Sequence, residues 1–235
     1  MTGVFCLGIA TLDYVYKVET MPTRGEKYRS RDLAVVGGGC ASNAAVAIAR
    51  LGGHCRLATR LGDVLAGDQI VADLASEGVE TGFARRMVIS YSDPAMPEET
   101  GWLPSALPDG AGAVLADTRW GEGALAALRL AREAGVPGVL DGDRKPPHPD
   151  LVGTASHVAF SAQALRELSG EEDPRTGLAR VARDMPTWLA VTLGKEGALF
   201  VENGELVHAP AFAVETVDTL GAGDVWHGAF ALGLA

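Results

Sequence analysis

The chain has little cysteine, no excess of positive charge and no long apolar run. Cys6, Cys40 and Cys55 are odd in number and stand at no metal-like spacing, which argues against a disulfide framework or a zinc site. Thirty acidic side chains against twenty basic ones leave a formal net charge of −10, unsuited to nucleic acid or an anionic membrane as partner. No apolar stretch reaches membrane-spanning length. Met1-Thr2-Gly3-Val4-Phe5-Cys6-Leu7-Gly8 reads as a strand, with neither a basic leader region nor a cleavage site. A cytoplasmic location is expected. Internal repeats and low-complexity linkers are also absent.

Two familiar phosphate-binding motifs are missing as well. The Gly194-Lys195 pair is followed by Glu196 where a P-loop needs Ser or Thr. A dinucleotide fingerprint needs a third small residue where Trp226 stands, and an indole blocks close helix–strand packing.

What remains is a globular composition, 47% hydrophobic and 21% charged, over 235 residues. That length suits one α/β domain spanning 1–235, with room for a small appendage. Strand-like and helix-like stretches alternate along it, and the 30 glycines point to tight turns and close ligand approaches. Asp218-Thr219-Leu220-Gly221-Ala222-Gly223-Asp224 lies between apolar residues that read as strand (Ala211, Phe212, Val214, Val217) and a buried helix starting with Val225-Trp226-His227-Gly228. Two glycines around one small residue let the backbone turn tightly and leave N–H groups open at a helix start, which is an anion site. Asp224 would repel a phosphate held there unless its task is to take a proton. Amides that neutralise a moving phosphoryl group beside a carboxylate that accepts a hydroxyl proton meet the needs of phosphoryl transfer to an alcohol. The plainer alternative is a first-turn acid favoured by the helix dipole.

The heptad Asp218–Asp224 resembles the C-terminal signature of the ribokinase-like (PfkB) family of carbohydrate and nucleoside kinases. The resemblance implies a doubly wound, three-layer α/β sandwich with a small β-sheet lid, and ATP-dependent phosphorylation of a sugar hydroxyl assisted by Mg²⁺. Asp224 is then the base, the amides of Gly221, Ala222 and Gly223 form the anion hole, and Thr219 lies beside the phosphates. Gly37-Gly38-Gly39-Cys40-Ala41-Ser42-Asn43, opening a helix that runs to Leu51, resembles the family's N-terminal motif. Asp13, following the strand Val4–Ile9, takes the role of gripping sugar hydroxyls with Gly38, Gly39 and Asn43. Thr192, Gly194 and Gly197 match the nucleotide-binding stretch. Stretches near 14–18 and 27–36 resemble lid strands, which in such proteins also form a homodimer contact.

The chain departs from the family in three places. The stretch near 86–91 is too short for the further pair of lid strands, and a missing segment is expected there. Ser161 and Ala164 replace the Asn-x-x-Glu that organises magnesium, leaving the metal ligands open. The chain stops at Ala235 inside the helix that Asp224 begins, where the family has further helices, so a missing C-terminal part is expected. Ala116-Asp117-Thr118-Arg119-Trp120, Leu140-Asp141-Gly142-Asp143 and Phe160-Ser161 resemble the ketohexokinase and sulfofructose kinase branch, which implies a ketose or a 6-substituted ketose. Arg119 and Arg144 are candidates for a phosphate or an acidic substrate group, and Asp141 and Asp143 for a metal or hydroxyls. A solvated surface position is the usual case for such arginines, and plain turn acids account equally well for the two aspartates. Cys40 reads as a small packing residue, and His148 and His157 as structural. A nucleoside kinase is the enzymatic rival, and a sugar-sensing protein without catalysis the rival of another class.

Overall fold

The computed structural model describes residues 3–21, 23–25, 27–87, 98–148, 150–183 and 185–235. Its main sheet is built from short apolar runs that form strands because both of their faces are covered. Strand β1 (Gly3–Leu7) is buried at every position. It pairs in parallel with β4 (His54–Gly62) on one side and with β6 (Ala111–Asp117) on the other. Beyond β4 lies β5 (Glu80–Met87), also parallel. Beyond β6 follow β7 (Gly138–Gly142), β8 (His157–Ser161) and β9 (Trp188–Thr192), all parallel. The hairpin β10 (Ala198–Glu202) and β11 (Glu205–Ala209) closes that edge antiparallel, turning at Asn203 and Gly204 with φ of 52° and 83°. The order is β11-β10-β9-β8-β7-β6-β1-β4-β5, so the chain winds outward in two directions from β1. The expected doubly wound sheet is observed.

Two apolar cores flank this sheet. One packs α3 (Gly121–Ala134), α4 (Asp150–Thr154), α5 (Ala162–Ser169) and α6 (Pro174–Ala182) around Phe5, Trp120, Leu128 and Phe160. The other packs α1 (Cys40–Arg50), α2 (Leu65–Ser76) and α7 (Ala222–Leu234) around Cys6, Ile48 and Leu57. Small residues let α1 and α7 touch: a Cβ on Gly228 would stand 2.6 Å from the Ala44 carbonyl oxygen. Local signals set the ends. Ser161 accepts the Ala164 N–H as the N-cap of α5, and Asp173 does the same for α6 from Thr176, with Pro174 in its first turn. Helices α3 and α5 stop at left-handed Gly135 and Gly170.

A separate antiparallel pair, β2 (Thr11–Val18) with β3 (Ser30–Gly38), forms the small second sheet. Tyr14 pairs with Val35 and Tyr16 with Leu33, which puts these four on one face, while Asp13, Val15, Ala34 and Val36 share the other.

Two sequence expectations are corrected. Residues 211–217 form no strand. The ladder ends at Ala209, Pro210 offers no N–H to continue it, and Phe212 and Val217 are 93% and 97% exposed. The stretch near 86–91 adds no lid strand among the described residues. Arg86 and Met87 end β5 of the main sheet, and positions 88–91 lie outside the described residues.

Candidate active site

The carboxyl ends of β1 and β6 part where the winding reverses, which is where open α/β sheets bind ligands. Asp117 ends β6 there. One of its carboxylate oxygens accepts the N–H groups of Ile9 (2.8 Å) and Ala41 (3.2 Å), and the other accepts that of Arg119 (2.8 Å). A buried carboxylate thus fastens the end of β1 to the start of α1. Burial raises its pKa to about 6.

On the lid side, Thr11 donates to Asp13 at 2.9 Å. A Cβ on Gly38 would sit 2.1 Å from Asp13 Oδ2, and one on Gly39, at φ 96°, would strike the Ile9 carbonyl at 2.5 Å. Only glycine lets the Asp13 carboxylate and the helix entrance share this space. One turn into α1, Asn43 Nδ2 donates to Asp224 Oδ2 at 2.7 Å. Asp13, Gly38, Gly39 and Asn43 are therefore drawn together, and Asn43 meets Asp224.

Left-handed Gly221 (φ 71°) stands before α7, with no side-chain cap. The Asp218 carboxylate accepts the Leu220 N–H at 2.9 Å, and the Ala222 N–H donates to the Thr219 carbonyl at 3.1 Å. Closing the turn thus engages the N–H of Ala222, one of the three amides expected in the anion hole. The N–H groups of Gly221, Gly223 and Asp224 have no backbone partner among the described residues and remain open. With the dipole of a 13-residue helix behind them, they suit an anion.

The residues expected to bind nucleotide sit at the end of β9 and just after it. Thr192 lies at the strand end, and a 3₁₀ turn at Gly194–Glu196 follows. Gly194 and Gly197 have φ of 58° and 96°, and a Cβ on Gly197 would lie 2.0 Å from the Ala209 carbonyl. This loop is thus pressed onto the start of the segment leading to Thr219. No hydrogen bond or ion pair joins it to Asp224 among the described residues.

Behind the turn lies a buried polar group. His227 faces the Gly223 carbonyl at 2.7 Å through Nδ1 and the Ala159 carbonyl at 3.0 Å through Nε2, and Asp141 Oδ2 is 3.4 Å from Nδ1. Burial raises the Asp141 pKa to about 7, against the pull of His227. Burial first, and then the surrounding acids, push the Cys40 thiol far above its usual range. Asp143 takes Arg119, Thr118 and the Cys40 thiol as partners, and Arg144 donates to the Thr118 carbonyl at 3.0 Å. Arg119 and Asp143 thus neutralise each other. Ser161, besides capping α5, donates to the Asp143 carbonyl at 2.9 Å.

Cys40, Asp141 and Asp224 present ligand atoms within 4.8 Å of one another. This set does not fit Mg²⁺, which takes hard oxygen donors, because one of the three is a thiol and both acids already have nitrogen partners. An open groove of about 550 Å³, lined by Glu171, Arg175 and Leu206 among others, includes none of the expected site residues.

Sequence reading missed Asp117 and His227. Asp117 carried a signal, an acid at the end of an apolar strand, whereas nothing local marks His227.

Open amides and a carboxylate at a helix start, at the switch point of a doubly wound sheet, define a phosphoryl-transfer architecture. The chain matches the pfkB family of carbohydrate kinases over residues 1–88 and 109–235, and it is a carbohydrate kinase of that family. It is 26% identical over 264 residues to the ribokinase of Bacillus subtilis, covering 100% of this chain and 86% of that one. It is 42% identical to the fructokinase of Klebsiella pneumoniae over 82 residues, which is 34% of this chain and 27% of that one. A crystal structure from Agrobacterium tumefaciens, provisionally described as a ribokinase, superposes with a TM-score of 0.88 at 31% identity, covering 99% of this chain and 84% of that one. The Arabidopsis thaliana ribokinase complexed with ribose and ATP shares the fold, with a TM-score of 0.80 at 23% identity and coverage of 99% and 86%. Among the described residues no helix is long and apolar enough to cross a membrane.

Proposed function

We propose that the chain, as a single kinase domain over 1–235, transfers the γ-phosphoryl group of ATP to a hydroxyl of a monosaccharide, with a ketose or a 6-substituted ketose as the substrate class. The observation that carries the reading is the juxtaposition of Asn43, Asp224 and the open N–H groups of Gly221 and Gly223. The sugar lies between the lid and α1, gripped by Asp13, by Asn43 and by the close backbone at Gly38 and Gly39. Asp224 takes the proton of the attacking hydroxyl while the open amides hold the charge on the moving phosphoryl group. ATP lies along Thr192, Gly194 and Gly197, with Thr219 beside its phosphates. Mg²⁺ would arrive on those phosphates, since the chain's own donor set does not cage it.

The ketose assignment rests on the spelling of residues 116–120, 140–143 and 160–161 and on the fructokinase similarity. The exposed Tyr14, Tyr16, Leu33 and Val35 on one face of β2–β3 support a homodimer through the lid, and a cytoplasmic location fits an ATP-dependent kinase. Coupled ADP release with Mg-ATP across ketoses, 6-substituted ketoses, ribose and nucleosides tests the reading. A single ketose class raising the rate supports it, and a nucleoside alone doing so overturns the substrate assignment.

A further inference from the structure

We propose that Cys40, Asp141 and Asp224 together hold one divalent cation of the zinc class, and that the bound ion blocks phosphoryl transfer. The blocking rests on the reading of Asp224 as the base, whereas the binding stands without it.

Three elements bring the donors together. Cys40 is the first residue of α1, Asp141 stands near the carboxyl end of β7, and Asp224 lies in the first turn of α7. One ligand atom from each lies within 4.8 Å of the other two, so little movement closes them round a shared ion. Asp141 is 3% exposed, and its Oδ1 has no hydrogen-bond partner among the described residues. A buried carboxylate oxygen left unpaired carries a desolvation cost, which a cation beside it removes. Cys40 and Asp224 are only half-buried, which leaves an ion a way in from the cleft.

The donor types select the ion. Magnesium demands an octahedral set of hard oxygens, whereas zinc and its neighbours accept a thiolate beside carboxylates, with three protein ligands and a water. The nitrogen partners of the two acids leave room for it. Asn43 engages Oδ2 of Asp224, and His227 Nδ1 stands 3.4 Å from Oδ2 of Asp141, as outer partners that orient ligating carboxylates do. Charge favours the ion as well. Asp143, Asp224 and Asp117 add negative charge around Asp141, and the nearby Arg119 is already engaged by Asp143. Burial and the surrounding acids keep the Cys40 sulfur a thiol in the free chain. A dication among those acids turns this around, because a coordinated thiol gives up its proton, here to solvent, as the sulfur–metal bond forms.

The consequence falls on Asp224. Asn43 holds one of its oxygens, and in the proposed reaction the carboxylate must still accept a hydroxyl proton. A metal bond takes the lone pair that this step needs.

The test uses the full chain, with Co²⁺ as the coloured probe and Zn²⁺ as the inhibitor. One equivalent of Co²⁺ should give the wild type a thiolate-to-cobalt charge-transfer band in the near ultraviolet, displaced by Zn²⁺ and indifferent to millimolar Mg²⁺. Cys40→Ser should lose the band, and Asp141→Asn should weaken Co²⁺ binding by about tenfold or more, at least the loss typical of an outer partner. A wild type without the band overturns the site. So does an equal band in Cys40→Ser, which would put the metal on the buried pair Cys6 and Cys55. In the coupled assay with Mg-ATP, half-inhibition of Cys40→Ser should need about tenfold more Zn²⁺ than that of the wild type, matching the lost ligand. Equal sensitivity overturns the blocking. A wild type that carries the band yet phosphorylates no sugar overturns the kinase reading, and the blocking with it, while the metal site stands.

Discussion

Asn43 on α1 donates to Asp224 on α7 at 2.7 Å, joining residues 181 positions apart. The bond engages one oxygen of the carboxylate, and in the proposed reaction the other takes the proton of the substrate hydroxyl. In the proposed reaction this gives Asn43 a second part, its amide nitrogen orienting Asp224 and its carbonyl left for a sugar hydroxyl. Removing the side chain with Asn43→Ala should lower kcat by about 10- to 100-fold, as is typical when an orienting partner is lost, and raise the sugar KM. Steady-state kinetics check this, and an unchanged kcat would mean that Asp224 needs no such brace.

Gly38→Ala should separate binding from chemistry. The added methyl would lie 2.1 Å from Asp13 Oδ2 and must displace that carboxylate. The expected outcome is a sugar KM raised by about tenfold or more, with kcat at saturating sugar much less affected. Comparable loss in both constants would place Asp13 in the transfer step itself.

Asp117 gives a pH dependence with a definite sign. Its pKa stands at about 6 in the folded chain against an ordinary 3.8, so the folded state favours the proton. The stability it contributes is fully present below the ordinary value and is lost as pH rises through the folded one. The deficit of Asp117→Asn relative to wild type, measured by denaturant melts, should therefore be largest near pH 4 and shrink toward pH 6. A deficit that grows with pH would show that the three backbone N–H groups outweigh burial.

The doubly wound sheet and the approach of Asp13 to Gly38 were legible for a physical reason: their signals are local. Val4 to Leu7, Ala113 to Asp117 and Trp188 to Thr192 are apolar runs between turns, and Gly38-Gly39 and Gly221-Ala222-Gly223 mark backbone that must bend or approach closely. The misreadings involve relations the sequence does not spell out. Phe212, Val214 and Val217 have strand-like spacing, but Pro210 ends the ladder and leaves them exposed. Helix α6 did carry a local signal that was overlooked, the Asp173-Pro174 start. His227 reads as one more residue of an apolar helix until the fold brings Asp141 and the Ala159 carbonyl to it, 86 and 68 positions earlier in the chain. Arg119 looked available for a phosphate because its partner Asp143 lies on another strand end.

The lid gives a test of assembly. Tyr14 and Tyr16 are 59% and 57% exposed beside Val35 and Leu33, an apolar face on a two-stranded sheet. If this face joins two copies, Tyr16→Asp should convert a dimer to a monomer in sedimentation while the melting temperature stays close to wild type. A wild-type chain that sediments as a monomer at micromolar concentrations would refute the lid contact.

The most direct measurement is turnover and sugar binding compared between wild type and Asp224→Ala. With Asp224 as the base, the variant should lose about 1,000-fold or more in kcat for its ketose with Mg-ATP, while calorimetry finds the sugar Kd within about threefold of wild type. A variant that still phosphorylates the sugar at a rate near that of wild type would contradict the account, because proton removal would then have to lie elsewhere.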